Sequence, residues 1–145
     1  ASLVEIDVDT GFVKTLRHWV VEDRGRVVNP LLVDEQIRGG VVQGIGGALF
    51  EHCIYDDNAN LLNGSLVDYL VPMAVEMPDI EVGHVETPMV GTKLGTKGAG
   101  EAGTVGAPAA ILCAVNDALR PFGVLVTEMP ITPEVILSAL ATAKD

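Results

Sequence analysis

Eleven of the chain's 16 glycines fall in two short stretches, and this clustering limits what the chain can fold into more than any other feature. The first stretch holds Gly39, Gly40, Gly44, Gly46 and Gly47. It overlaps a run from Asp34 to about Cys53 in which Ile37, Val41, Ile45 and Leu49 recur every four positions, with Val42 and Ala48 beside them. That spacing predicts a helix with one core-facing stripe. Each glycine inside a helix costs about 1 kcal/mol relative to alanine, so a helix with five needs its bare surface for something. Gly39, Gly40, Gly46 and Gly47 lie at i−4, i−3, i+3 and i+4 around Gln43. The Gln43 amide is therefore expected on a face stripped of side chains, roughly opposite the apolar stripe. Such a face suits close packing against another backbone, with Gln43 capping a neighbour. It equally suits a polar ligand hydrogen-bonded to the amide, and the residues alone leave the two level.

The second stretch is Gly91, Gly95, Gly98, Gly100, Gly103 and Gly106, with Glu101 as its acid. Gly98-Ala99-Gly100-Glu101-Ala102-Gly103 matches GxGxxG in form, but no hydrophobic strand runs into it. It would also set Glu101 where a pyrophosphate belongs, and like charges repel. A Walker loop fails on spacing, because Lys97 follows Thr96 and not a glycine. What remains is a flexible loop running into a helix start. Its glycines let backbone N–H groups approach a ligand, and Ala99, Gly100 and Ala102 leave room around the carboxylate. A carboxylate enclosed among apolar and backbone groups has its pKa raised and serves as a general base near neutral pH.

Elsewhere, Leu3–Val8 and Val13–Val21 read as strands joined by a turn at Asp9-Thr10-Gly11. Asn29-Pro30 opens the first helical region. Tyr55–Ser65 reads as a second hairpin or irregular turn, and Ile80–Glu86 as a strand. A helix is expected from about Ala107 or Pro108 to Leu119, then a short strand Val124–Val126, then a helix Glu134–Ala143 with Thr132 as N-cap. Strands and helices interleave, so the class is α/β or α+β, with a mixed sheet. The 145 residues suit one domain, 1–145. A net charge of −11 argues against nucleic acid as a partner. No apolar run reaches the ~20 residues of a membrane span. Cys53 and Cys113 sit among apolar neighbours without metal-ligand spacing and are expected to be buried free thiols in a reducing compartment, the cytoplasm. His18, His52 and His84 read as strand-end or surface residues. The chain begins at Ala1 and enters a strand at once, as a piece of a longer protein would.

Val42-Gln43-Gly44-Ile45-Gly46, followed by the run from Gly95 through Glu101 to Pro108, resembles the molybdenum hydroxylases. This is the xanthine dehydrogenase/aldehyde oxidase family, which includes carbon monoxide dehydrogenase large chains. The flanks Gly25–Pro30, Gly64–Tyr69, Met77–Ile80 and Val115–Leu119 agree with it, so the likeness covers almost the whole chain. The resemblance implies an oxidoreductase that hydroxylates an aldehyde, purine or N-heterocycle with water-derived oxygen; carbon monoxide also remains open as a substrate. In such enzymes molybdenum is held by the dithiolene of a pterin (molybdopterin) and not by side chains, so no metal ligand is expected here. Glu101 matches the glutamate that takes a proton from the metal-bound hydroxyl. Gln43 matches an amide that contacts the pterin, and Lys97, Gly98, Ala99 and Gly100 match the backbone segment beside it. The resemblance further implies the cytosine dinucleotide form of the cofactor, with iron–sulfur and FAD groups on partner subunits or domains. This chain would be the C-terminal segment of a molybdopterin-binding domain, inactive without the rest of a large subunit. The alternative is a non-catalytic binding or assembly module that keeps the fold.

Overall fold

The computed structural model describes residues 1–143 of the 145. Strands β1 (Ser2–Asp7) and β2 (Phe12–Asp23) pair antiparallel around the expected turn, and β3 (Asp79–Val85) pairs parallel to β2. The sheet is therefore mixed, with β2 in the middle. Gly11 N–H donates to the Asp7 carbonyl at 2.7 Å, and Gly11 has φ +74°. A Cβ there would stand 2.4 Å from the Pro133 carbonyl oxygen, so the turn needs glycine for its backbone and for its neighbour.

A bulge corrects one expectation. The register runs Leu3↔Arg17 and then Val4↔Thr15, which leaves Leu16 as the extra residue on β2. The inward series Val13, Thr15 therefore continues at His18 and not at Arg17. His18 is 2% exposed, well inside a strand, with Nδ1 2.8 Å from Ser2 Oγ. Of the other histidines, His52 is exposed, and His84 near the end of β3 lies 2.6 Å from Asp34 Oδ1.

Helix α1 (Pro30–Leu49) starts four residues before Asp34, because Asn29 caps it and Pro30 takes the first helical position. Ile37, Val41, Ile45, Ala48 and Leu49 are buried as the four-residue spacing predicts. Helix α2 (Ala102–Leu119) starts five residues before Ala107. Pro108 looks like a helix opener but lies inside, where its missing N–H leaves the Thr104 carbonyl without its helical donor. Helix α3 (Pro133–Thr142) has Thr132 as N-cap, as expected. Val124–Val126 is no strand: both valines are buried, but Val126 bonds through its N–H and C=O to the Asn116 amide, each at 2.8 Å. Within Tyr55–Ser65 the reversal sits at Asp56–Asn60, under a Tyr55–Leu61 bridge, while buried Asn63 ties His52 and Ile54.

Helices α1 and α2 lie against the sheet and pack most closely on each other. A Cβ on Gly103 would lie 2.2 Å from the Ile37 carbonyl oxygen, and one on Gly40 3.0 Å from Thr104 N. One on Gly44 would lie 2.7 Å from the Ala107 Cβ. Three glycines thus let the two backbones touch, whereas Gly39, Gly47 and Gly106 have open space at their Cβ positions. By length and composition Ala102–Phe122 is apolar enough to cross a membrane, against the expectation. Its Gly103, Ala107, Ile111, Val115 and Leu119 form one stripe buried in this core. Both cysteines are free and exposed, not buried. Cys113 stands two residues past Ile111, which turns it away from the stripe, and Cys53 follows the end of α1.

Two outcomes follow from this packing. Gly103→Ala should destabilise the protein by about 1–3 kcal/mol, while Gly106→Ala should be neutral or stabilise it by up to about 1 kcal/mol; urea midpoints separate them. Burial lowers the His18 pKa from 6.5 to about 4, so the unfolded chain binds the extra proton in that window and stability falls as pH drops from about 6.5 to 4. His18→Gln should flatten that part of the stability–pH curve.

Candidate functional site

The glycine loop is fastened from behind by the end of β2. Asp23 accepts from Lys97 Nζ at 2.8 Å, from Gly25 N–H at 2.9 Å and from Thr87 N–H at 3.1 Å. These donors, Lys97 first, hold its carboxyl well below the usual carboxylate range. Gly25 bridges Thr96, Lys97 N–H donates to the Arg24 carbonyl at 2.9 Å, and Arg26 N–H donates to the Gly95 carbonyl at 3.0 Å. Gly25 has φ +59°, and its Cβ would lie 2.2 Å from the Gly95 oxygen, so no other residue lets the two segments meet this closely. Buried Arg24 pairs with Glu22 and donates to the Gly98 carbonyl at 3.2 Å.

Helix α1 fastens the next stretch. Gln36 Nε2 donates to the Gly100 carbonyl at 2.8 Å. Thr104, in the first turn of α2, places its hydroxyl 3.1 Å from the Gly40 carbonyl and 3.3 Å from Gln43 Oε1. Gln36, Gly40 and Gln43 are spaced i, i+4, i+7, one face of α1. Glu101 is the N-cap of α2, yet its exposed side chain makes no capping hydrogen bond. Its carbonyl accepts from Thr104 N–H at 3.1 Å. The enclosure among apolar groups expected for this carboxylate is not supplied by the described residues, because α2 presents it to the outside.

The predicted residues therefore converge on one crossing. Gln43 and Glu101 are each bonded to Thr104, and Lys97 to Gly100 run alongside as a tethered strip. The Lys97 ammonium is committed to Asp23, so what Lys97 offers a ligand is main chain. The carbonyls of Gly98 and Gly100 are held from the protein side; the N–H groups of Gly98, Ala99 and Gly100 are tied to no acceptor among the described residues. Gly98 and Gly100 also have nothing within 4 Å of a would-be Cβ. Close packing explains Gly40 and Gly44, and Gly46 meets Glu51 and Pro72, but neither reason applies to Gly39 or Gly47. The bare face around Gln43 is therefore shared: Gly40 packs on α2 and Gly46 on Glu51 and Pro72, while Gly39 and Gly47 are open.

Asp23, Arg24, Gln36 and Thr104 escaped the reading of the sequence. For Gln36 a signal existed, since it lies seven residues before Gln43 on the same face. Arg24 and Asp23 act across 74 residues, and no local pattern reveals that. A cavity of about 590 Å³ lies elsewhere, between the end of α1 and the start of α3, lined by Phe12, Leu49, Phe50, Leu66, Leu70 and Ile131 among others. None of the predicted site residues lines it.

Residues 1–78 match the family model described as a molybdopterin cofactor-binding domain. The chain is 52% identical over 139 residues to the nicotine 6-hydroxylase large subunit of Paenarthrobacter nicotinovorans, covering 96% of the chain and 17% of that protein. It is 37% identical over 116 residues to the carbon monoxide dehydrogenase large chain of Afipia carboxidovorans, covering 80% and 14%. Among solved structures, quinoline 2-oxidoreductase from Pseudomonas putida 86 superposes with a TM-score of 0.92 at 44% identity, over 95% of the chain and 18% of that one. The chain thus spans less than a fifth of the length of each of these relatives. It belongs to the molybdopterin cofactor-binding domain family, as found in the large subunits of the molybdenum hydroxylases.

Proposed function

We propose that this chain forms one wall of a molybdopterin site in a hydroxylating oxidoreductase, with Glu101 as general base. The observation that carries the reading is the strip Gly98–Gly100. Its carbonyls are anchored to Arg24 and Gln36, and its two glycines leave open the space a Cβ would fill. Nothing among the described residues requires glycine there, so a flat polar group that must lie against the main chain fits it. When bound, the molybdenum–pterin group supplies two-electron redox chemistry.

The chain's own residues do the remaining work assigned to them here. Gln43 and the N–H groups of Gly98, Ala99 and Gly100 bind and orient the cofactor. The Glu101 carboxylate, freed from capping, takes a proton at its Oε atom from the water-derived nucleophile. Enclosure of Glu101 is assigned to the rest of the large subunit; away from the site, the apolar residues Leu66, Val67 and Val75, each at least 83% exposed, offer a further surface for protein contact. The chain's span of 17% of the nicotine 6-hydroxylase large subunit supports reading it as one part of a molybdopterin-binding domain, and we assign it the C-terminal part. The cytosine dinucleotide form of the cofactor and iron–sulfur and flavin partners complete the proposed assembly. For substrate, the relatives named for nicotine and quinoline favour an N-heteroaromatic ring.

In the assembled enzyme, Glu101→Gln should lower turnover by about 10²–10⁴-fold with molybdenum and pterin content unchanged; turnover near wild type removes Glu101 as base. Gly98→Ala or Gly100→Ala should leave the melting temperature unchanged while lowering bound molybdenum and pterin per protein. Full cofactor content in both variants contradicts the strip as a cofactor surface.

A further inference from the structure

We propose that Thr104 is the positioning residue of Gln43: its hydroxyl occupies one edge of the amide, so that only the other edge is offered to the cofactor. The proposal rests on the reading of Gln43 as a cofactor contact. Gln43 is exposed on α1, and an exposed glutamine swings freely through three torsions. Gly39 and Gly47, the helical neighbours at i−4 and i+4, carry no side chain to confine it. Among the described residues its side-chain hydrogen bond comes from across the helix crossing, where Gln43 Oε1 lies 3.3 Å from Thr104 Oγ1.

Thr104 is well placed for this. Its backbone is pressed on α1, since a Cβ on Gly40 would stand 3.0 Å from Thr104 N. Its β-branched side chain has few helical rotamers, and its hydroxyl is pinned by the Gly40 carbonyl at 3.1 Å. The hydroxyl is therefore a fixed post, and its single hydrogen is shared between Gly40 and Gln43. The same residue binds the Glu101 carbonyl through its N–H at 3.1 Å. One side chain thus locks the amide while its main chain sets the start of the helix that carries the base.

The test uses the assembled, cofactor-loaded enzyme and measures the rate at which molybdenum and pterin are lost on dilution, with the melting temperature alongside. Thr104→Val should speed loss by roughly three- to tenfold, the worth of one hydrogen bond, while Thr104→Ser stays near the wild-type rate. In a Gln43→Leu background, Thr104→Val should add nothing. Equal effects of Thr104→Val in both backgrounds, or none in either, overturn the positioning role alone. An unchanged loss rate in Gln43→Leu itself overturns the reading of Gln43 as a cofactor contact, and the positioning role with it.

Discussion

Everything in the site hangs on the place where α1 and α2 touch without side chains between them. Ordinary helices pack with axes about 8–10 Å apart, a spacing set by the residues at the contact. Here Gly40 and Gly44 face Gly103 and Ala107, and a methyl group on Gly103 would collide with a main-chain oxygen. That contact brings the first turn of α2 down onto α1, within reach of short polar groups. Thr104 reaches the Gly40 carbonyl and Gln43, and Gln36 reaches Gly100, only because the backbones are this near.

The same contact resolves why the chain tolerates glycines that weaken its helices. Some are structural: they remove bulk between α1 and α2, or permit positive φ at Gly11 and Gly25. Others, Gly39, Gly47, Gly98 and Gly100, have nothing among the described residues within 4 Å of a would-be Cβ. Two physical demands, dense packing and an open polar surface, are written in the same residue type a few positions apart. Their separation makes one side of the crossing a core and the other a proposed binding wall. The β2 end complements it, since Asp23 and Arg24 hold the loop by its Lys97 ammonium and Gly98 carbonyl and leave the Gly98, Ala99 and Gly100 N–H groups without an acceptor among the described residues.

Local patterns carried much of this into view. The four-residue spacing from Ile37 to Leu49 marked the α1 core face correctly, and Thr132-Pro133 marked the start of α3. The glycine clustering marked where the main chain comes close to something, and the Gln43 and Glu101 motifs pointed to the family that the relatives show. Patterns failed where tertiary contact overrode propensity. Pro108 reads as a helix opener, yet packing against Gly44 keeps it inside α2. One extra residue at Leu16 turned His18 inward, which no alternation rule detects. Asp23, Arg24 and Thr104 were hidden because their partners lie more than 60 residues away.

The central claim is that this crossing presents Gln43, the Gly98–Gly100 main chain and Glu101 to a bound molybdopterin. The most direct measurement is an experimental structure of the assembled enzyme with its cofactor. Pterin atoms are expected within about 2.7–3.2 Å of the Gln43 amide and of N–H groups from Gly98 to Gly100, with Glu101 facing the molybdenum. A cofactor seated elsewhere, with that strip and Gln43 covered by protein or open to solvent, would contradict it.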